Sequence, residues 1–119
     1  MSNTSDPEFD QDLKFIKVCN INDISDGAGK SFKIGSLYLA LFRTQNRWFA
    51  TSDICSHEHE HLSGGWLEGY CIECPRHGAA FDLRTGEPKS LPATEPIEIF
   101  PVKIDGNDVT VGIPDFYLN

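Results

Sequence analysis

Two short segments carry the residue types that bind metals most readily, Cys55-Ser56-His57 and Cys74-Pro75-Arg76-His77, with sixteen residues between them. Each offers one thiolate and one imidazole. The spacers of one and two residues do not match a helical metal pair, whose side chains meet at a spacing of three or four. They instead let neighbouring side chains of one loop reach different metals. Two chemistries use such a set. A single zinc takes two Cys and two His tetrahedrally, whereas a sulfide-bridged iron pair can take both thiolates on one iron and both imidazoles on the other. Zinc sites commonly use Cys-x2-Cys knuckles, and Cys71-Ile72-Glu73-Cys74 has that form. Residues at odd separation in a strand face opposite sides, however. Cys71 and Cys74 should therefore diverge, with Cys71 a small buried hydrophobe.

The elements around these segments are β-favouring. Residues 13–19, 32–34, 37–42 and 47–50 are rich in alternating or continuous apolar, β-branched and aromatic residues, and Gln45-Asn46 is placed to turn a hairpin. Between the ligand segments, 66–68 and 70–73 read as short strands joined near Gly69, and Phe81-Asp82 leads to a turn at 84–87. Residues 96–104 and 109–113 read as a hairpin around 105–108, with Pro101 marking an edge or a bulge. No long amphipathic helix or repeat interrupts this pattern, so the fold class is all-β. Residues 1–12 are polar, and Asp6, Glu8, Asp10 and Asp12 precede the first basic residue, Lys14. They read as a flexible acidic tail before a single domain over 13–119.

The ligand segments, Leu62 after the first, His77-Gly78 in the second and a third loop at Leu91-Pro92-Ala93 together give the chain, over about residues 13–113, a resemblance to the Rieske family. Its length and the run Cys-Ile-Glu-Cys-Pro-Arg-His-Gly-Ala-Ala-Phe-Asp over 71–82 are similar to the small ferredoxins that serve aromatic-ring-hydroxylating dioxygenases. The resemblance implies stacked antiparallel sheets with a small inserted cluster-binding subdomain, about 53–82. It implies one Rieske-type [2Fe-2S] cluster, with Cys55 and Cys74 on the inner iron and the Nδ1 atoms of His57 and His77 on the outer. The partners it implies are a flavin-dependent NAD(P)H reductase as electron donor and a terminal Rieske oxygenase as acceptor.

Departures from the respiratory branch of that family are informative. That branch has an additional Cys in each loop, joined by a disulfide; here the places hold Glu60 and Arg76. Its Ser and Tyr hydroxyls, which donate to cluster sulfurs, are replaced by Ala79 and Phe81. Hydrogen bonds to sulfur stabilise the reduced cluster, so their loss predicts a potential toward the low end of the Rieske range, about −150 mV.

At 119 residues the chain has room for one domain, too small to hold a Rieske domain together with a catalytic one. All four histidines, His57, His59, His61 and His77, fall in the cluster region, leaving none for the two-His, one-carboxylate iron site of an oxygenase. An electron-transfer component, not an enzyme, is expected. A net charge of −8 disfavours nucleic acid and anionic membranes as partners. No run approaches the roughly 18 apolar residues of a membrane span, and the N-terminus lacks the features of a signal peptide. A cytoplasmic location is expected, with Cys19 and Cys71 as spare thiols.

His59 and His61 are read as loop or structural residues, and Gly64, Gly65 and Gly78 as points of close backbone approach. Trp48, Trp66 and the phenylalanines are read as core or cover. Glu58, Glu60, Glu68 and Glu73 are candidate partner contacts, with Arg76 the nearby cation. Two alternatives stand beside the carrier: a Rieske-like small subunit of a nitrite reductase, and a zinc-binding interaction module.

Overall fold

The computed structural model describes residues 12–54, 61–75, 79–89 and 95–119. Their strands are β1 (Leu13–Asn20), β2 (Ala28–Ile34), β3 (Leu37–Thr44), β4 (Arg47–Ser52), β5 (Trp66–Glu68), β6 (Cys71–Glu73), β7 (Ala80–Asp82), β8 (Ile99–Phe100), β9 (Val102–Asp105) and β10 (Asp108–Pro114). They form three antiparallel sheets with orders β1-β10-β9, β2-β3-β4-β8 and β5-β6-β7.

Strand β3 organises the molecule. Its apolar run from Leu39 to Phe42 is buried on both faces, as period-two geometry requires of a central strand. Leu39 and Leu41 join Cys19, Ala50, Phe100, Val109, Val111 and Ile113 in the core between the first two sheets. Ala40 and Phe42 point the other way, into a second core with Leu62, Ile72, Cys74, Ala79, Phe81 and Leu83. One strand thus supplies both a wall of the base and the floor of the smaller β5-β6-β7 unit. That unit is an insertion in the strict sense: β4 and β8 pair directly, Ala50 with Phe100, while β5 to β7 lie between them in sequence.

The β3–β4 hairpin turns at Gln45 and Asn46, whose φ of 55° and 58° are the paired positive values of a type I′ turn. Thr44 Oγ1 donates to the Gly69 carbonyl at 2.7 Å, and the Phe49 and Tyr70 rings meet edge to face, tying the insertion to this hairpin.

The expected strand over 96–104 is instead two. β8 pairs with β4, while β9 pairs with β10 in the other sheet. Pro101 lies at the crossing, where its missing N–H costs no ladder bond, and its carbonyl accepts the Gly112 N–H at 2.9 Å. The expected strand 37–42 extends to Thr44, and a further hairpin, β2–β3, turns at Gly35 and Ser36. Asp12, read as the end of the tail, has its carbonyl bonded to the Asp115 N–H at 3.1 Å; residues 1–11 lie outside the described residues. Trp66 is neither core nor cover: it stands on β5 with 62% of its surface exposed.

Candidate metal centre

Of the four ligand candidates, Cys74 is described; Cys55, His57 and His77 lie outside the described residues, as do Glu58, His59, Glu60, Arg76, Gly78 and the third loop at 91–93. What the structure shows is the base of each ligand loop.

Strand β4 runs into Asp53 and Ile54, immediately before Cys55. An antiparallel bridge between Ile54 and His61 closes the stretch 55–60, and the Leu62 N–H donates to the Asp53 carbonyl at 2.7 Å. The Asp53 N–H donates in turn to the Tyr38 carbonyl at 2.8 Å, anchoring the incoming strand to β3. The Asp53 side chain is fully buried. Its Oδ1 accepts the Ser63 N–H at 2.8 Å, and its Oδ2 accepts the Ser63 hydroxyl at 3.1 Å and contacts His61 Nδ1 at 2.7 Å. Sequence reasoning missed Asp53. An isolated Asp after a strand has the composition of an ordinary turn, and the partners that mark it out become visible only once the loop is folded.

His61, read as a loop or structural residue, makes two side-chain contacts. Its ring is held by Asp53 and stands edge-on to Tyr38, with centroids 6.0 Å apart.

The second loop starts at the end of β6. Along that strand Ile72 is buried, Glu73 exposed and Cys74 buried again, while Cys71 is only half-buried. The divergence of Cys71 and Cys74 is therefore present, but Cys71 is not the buried hydrophobe expected; its place on the open face of a three-stranded sheet gives it one wet side. Cys19, by contrast, is buried in the base, and burial is the main influence pushing its thiol pKa up. The Cys74 N–H donates to the Ala79 carbonyl at 2.6 Å, closing the stretch between them. Cys74, Ala79 and Phe81 are all buried in the upper core beside Leu62, the residue that follows the first loop.

The residues flanking the two stretches therefore share one apolar floor. Gly65 makes the approach possible: a Cβ there would lie 2.0 Å from the Glu73 carbonyl oxygen, so a side chain would force the first loop's exit away from β6. Beyond the second loop, Asp82 accepts the Arg84 N–H at 2.8 Å and the Arg84 guanidinium at 3.1 and 3.0 Å. Those hydrogen bonds hold its carboxyl pKa below the usual range.

This floor fits a Rieske-type cluster. A buried cysteine follows β6, both ligand stretches are pinched at their ends, and the donor set of two thiolates and two imidazoles is the one such a cluster takes. Ala79 and Phe81 are fully buried and place no hydroxyl at their positions. Among the described residues no group of three His, Cys, Asp or Glu is gathered to hold a metal.

Comparison with known proteins agrees. The chain is 43% identical to the anthranilate 1,2-dioxygenase ferredoxin subunit of Burkholderia cepacia over 79 residues, 66% of this chain and 73% of that one. It is 36% identical to the biphenyl dioxygenase ferredoxin subunit of Pseudomonas sp. strain KKS102, over 83% of this chain and 92% of that one. The solved complex of reduced oxygenase and oxidised ferredoxin in carbazole 1,9a-dioxygenase contains a chain that superposes with a TM-score of 0.78 at 38% identity, covering 82% of this chain and 92% of that one. A nitrite reductase small subunit superposes with a TM-score of 0.72, covering 83% of this chain and 98% of that one, but at 23% identity this likeness concerns the fold alone. The Rieske [2Fe-2S] domain family matches residues 14–101. With its match over residues 14–101 and the β5-β6-β7 insertion in place, the chain belongs to the Rieske [2Fe-2S] family.

Proposed function

We propose that this chain is the ferredoxin of a ring-hydroxylating dioxygenase system, carrying single electrons from a flavin-dependent NAD(P)H reductase to a terminal Rieske oxygenase. Cys55, Cys74, His57 and His77 hold the cluster, the cysteines on one iron and the histidines on the other. When bound, the cluster accepts one electron and gives it up again. Residues 13–119 act as one domain, with 53–82 as its cluster-binding part.

The observation that carries this reading is that the residues flanking both Cys/His stretches are paired with each other and share one apolar floor. The chain's own residues then have defined tasks. Leu62, Ile72, Ala79 and Phe81 keep water from beneath the site, and the absence of hydroxyls at 79 and 81 favours a low potential. Glu68 and Glu73 lie exposed on the neighbouring β5 and β6. With the net charge of −8 they favour transient, electrostatically steered docking to basic surfaces. No helix among the described residues is long and apolar enough to cross a membrane. We assign the protein to the cytoplasm, where NAD(P)H is generated.

Iron and acid-labile sulfide analysis with absorption and EPR spectra tests the assignment. The expected result is two irons and two sulfides per chain, in a red-brown protein that bleaches on reduction. A colourless protein containing zinc after anaerobic reconstitution would refute it. Electrostatic docking has its own check: reduction by the reductase should slow as salt rises, and rates that ignore salt would exclude acidic steering.

A further inference from the structure

We propose that the open face of the β5-β6-β7 sheet is a docking surface, on which an arginine from a basic patch of a redox partner stacks against Trp66 between Glu68 and Glu73. The identity of the partner rests on the carrier reading above; the surface itself does not.

Strand register assembles the face. Trp66 lies opposite Glu73 and Glu68 opposite Cys71, while Leu67 and Ile72 between them turn inward onto the upper core. Glu73 in turn lies opposite Ala80 on β7, whose small side chain keeps the floor low. The result is a shallow concavity of about 430 Å³, lined by Trp66, Leu67, Glu68, Cys71, Glu73 and Ala80.

Trp66 is the exception among the exposed rings. Lys103 lies over Phe15 at 4.2 Å, Lys33 lies over Tyr38 at 5.1 Å, and Phe116 lies against Tyr117 with ring centroids 4.3 Å apart. Among the described residues, these three and Trp66 are the exposed Phe, Tyr and Trp side chains. Trp66, with 62% of its surface exposed, has neither a cation nor a ring over it among the described residues. Tryptophan is the ring that holds a cation best, and a guanidinium, planar and weakly hydrated, stacks on it better than an ammonium does.

Charge names the occupant. Glu68 and Glu73 are exposed on the same face, and among the described residues neither forms an ion pair. Diagonal neighbours across an antiparallel pair stand about 7–8 Å apart, so one guanidinium above Trp66 can face both carboxylates. An apolar or anionic occupant would cover both acids without pairing them, at a desolvation cost. Glu73 also precedes Cys74, so a partner seated here lies beside a ligand candidate.

Calorimetric titration of the holoprotein with triarginine amide tests the face. Trp66→Ala is expected to bind the peptide about fivefold more weakly than the parent, with unchanged absorption and EPR spectra. This substitution leaves the net charge at −8, so attraction of the peptide to the rest of the acidic chain is the same in both proteins. Trilysine amide should bind the parent more weakly than triarginine amide, and Trp66→Ala should remove that preference. Equal binding of triarginine by parent and variant overturns the proposal, as does a parent that prefers trilysine. If Trp66→Ala holds no cluster, Trp66→Thr, suited to an exposed strand, is measured with the same expectation.

In electron flow from NAD(P)H through this chain to the oxygenase, Trp66→Ala should raise the concentration of carrier needed for half-maximal rate several-fold and leave the maximal rate unchanged. An unchanged half-maximal concentration overturns the assignment of the face to a redox partner. A holoprotein dimer that Trp66→Ala dissociates would give the face to a second copy and overturn it equally. Failure of the carrier reading is distinguishable, since the parent would then show no [2Fe-2S] spectrum or pass no electrons, whatever the peptide does.

Discussion

At the base of the first loop the chain is drawn together by the buried Asp53 side chain and its partners Ser63 and His61, whereas at the base of the second the Cys74–Ala79 backbone hydrogen bond is seated among the apolar side chains of Ile72, Ala79 and Phe81. The first closure depends on direction, because each polar partner must point at Asp53. The second depends on volume, because Ile72, Ala79 and Phe81 fill the space beneath Cys74. Directional bonds can be removed singly and leave little empty space; a filled volume cannot be emptied without a cavity.

The sharpest way to break this contrast is Phe81→Ala. Deleting a fully buried aromatic ring is expected to cost about 3–5 kcal/mol and to loosen the second loop with its cysteine. Denaturant unfolding of the holoprotein measures it, and a loss below about 1 kcal/mol would mean that the upper core is not densely packed. Asp53→Ala should cost less, about 1–3 kcal/mol, because it strips acceptors from Ser63 and His61, one of which is half exposed to water. If the two costs came out in the reverse order, the polar closure would be the stronger one.

Potential gives a finer comparison. Ala79→Ser restores a hydroxyl on the second loop's side of the floor, and its midpoint is expected to rise, as hydrogen bonds to sulfur favour reduction. A fall would show the new hydroxyl bonded elsewhere.

The smallest effect concerns acid. Beyond the second loop, Asp82 is paired with Arg84 on the half-exposed rim. Its folded pKa lies below the ordinary carboxylate value, first because of the side-chain hydrogen bond from Arg84. Stability from this pair is therefore present above about pH 4 and lost as the pH falls through the lowered value. Arg84→Ala should be slightly less stable at neutral pH and lose less on acidification than the parent. Parallel acid titrations showing equal losses would dismiss the pair as a contributor.

Much of this arrangement was legible beforehand. The alternation over 13–19, the apolar run of β3, the Gln45-Asn46 turn and the short strands around Gly69 all have local signals, because side-chain period and turn chemistry act over a few residues. The opposite directions of Cys71 and Cys74 could be read from strand period alone. Other features had no local trace. Residues 96–104 carry one β-favouring pattern, yet the chain changes sheet at Pro101 because β4 captures one half and β10 the other. Trp66 looks like core until a three-stranded sheet leaves that face uncovered.

The amino-acid sequence by itself determined the metal chemistry on offer and the class of fold, since ligand type, spacing and hydrophobic period are properties of neighbouring residues. Only tertiary structure decided what stands behind the ligand candidates. Asp53 acquires its role from Ser63 and His61, ten and eight residues away along the chain. The common floor likewise exists only where Leu62, Cys74 and Phe81 meet across β3. Contacts of that kind arise when distant segments close on one another, and no short window of residues contains them.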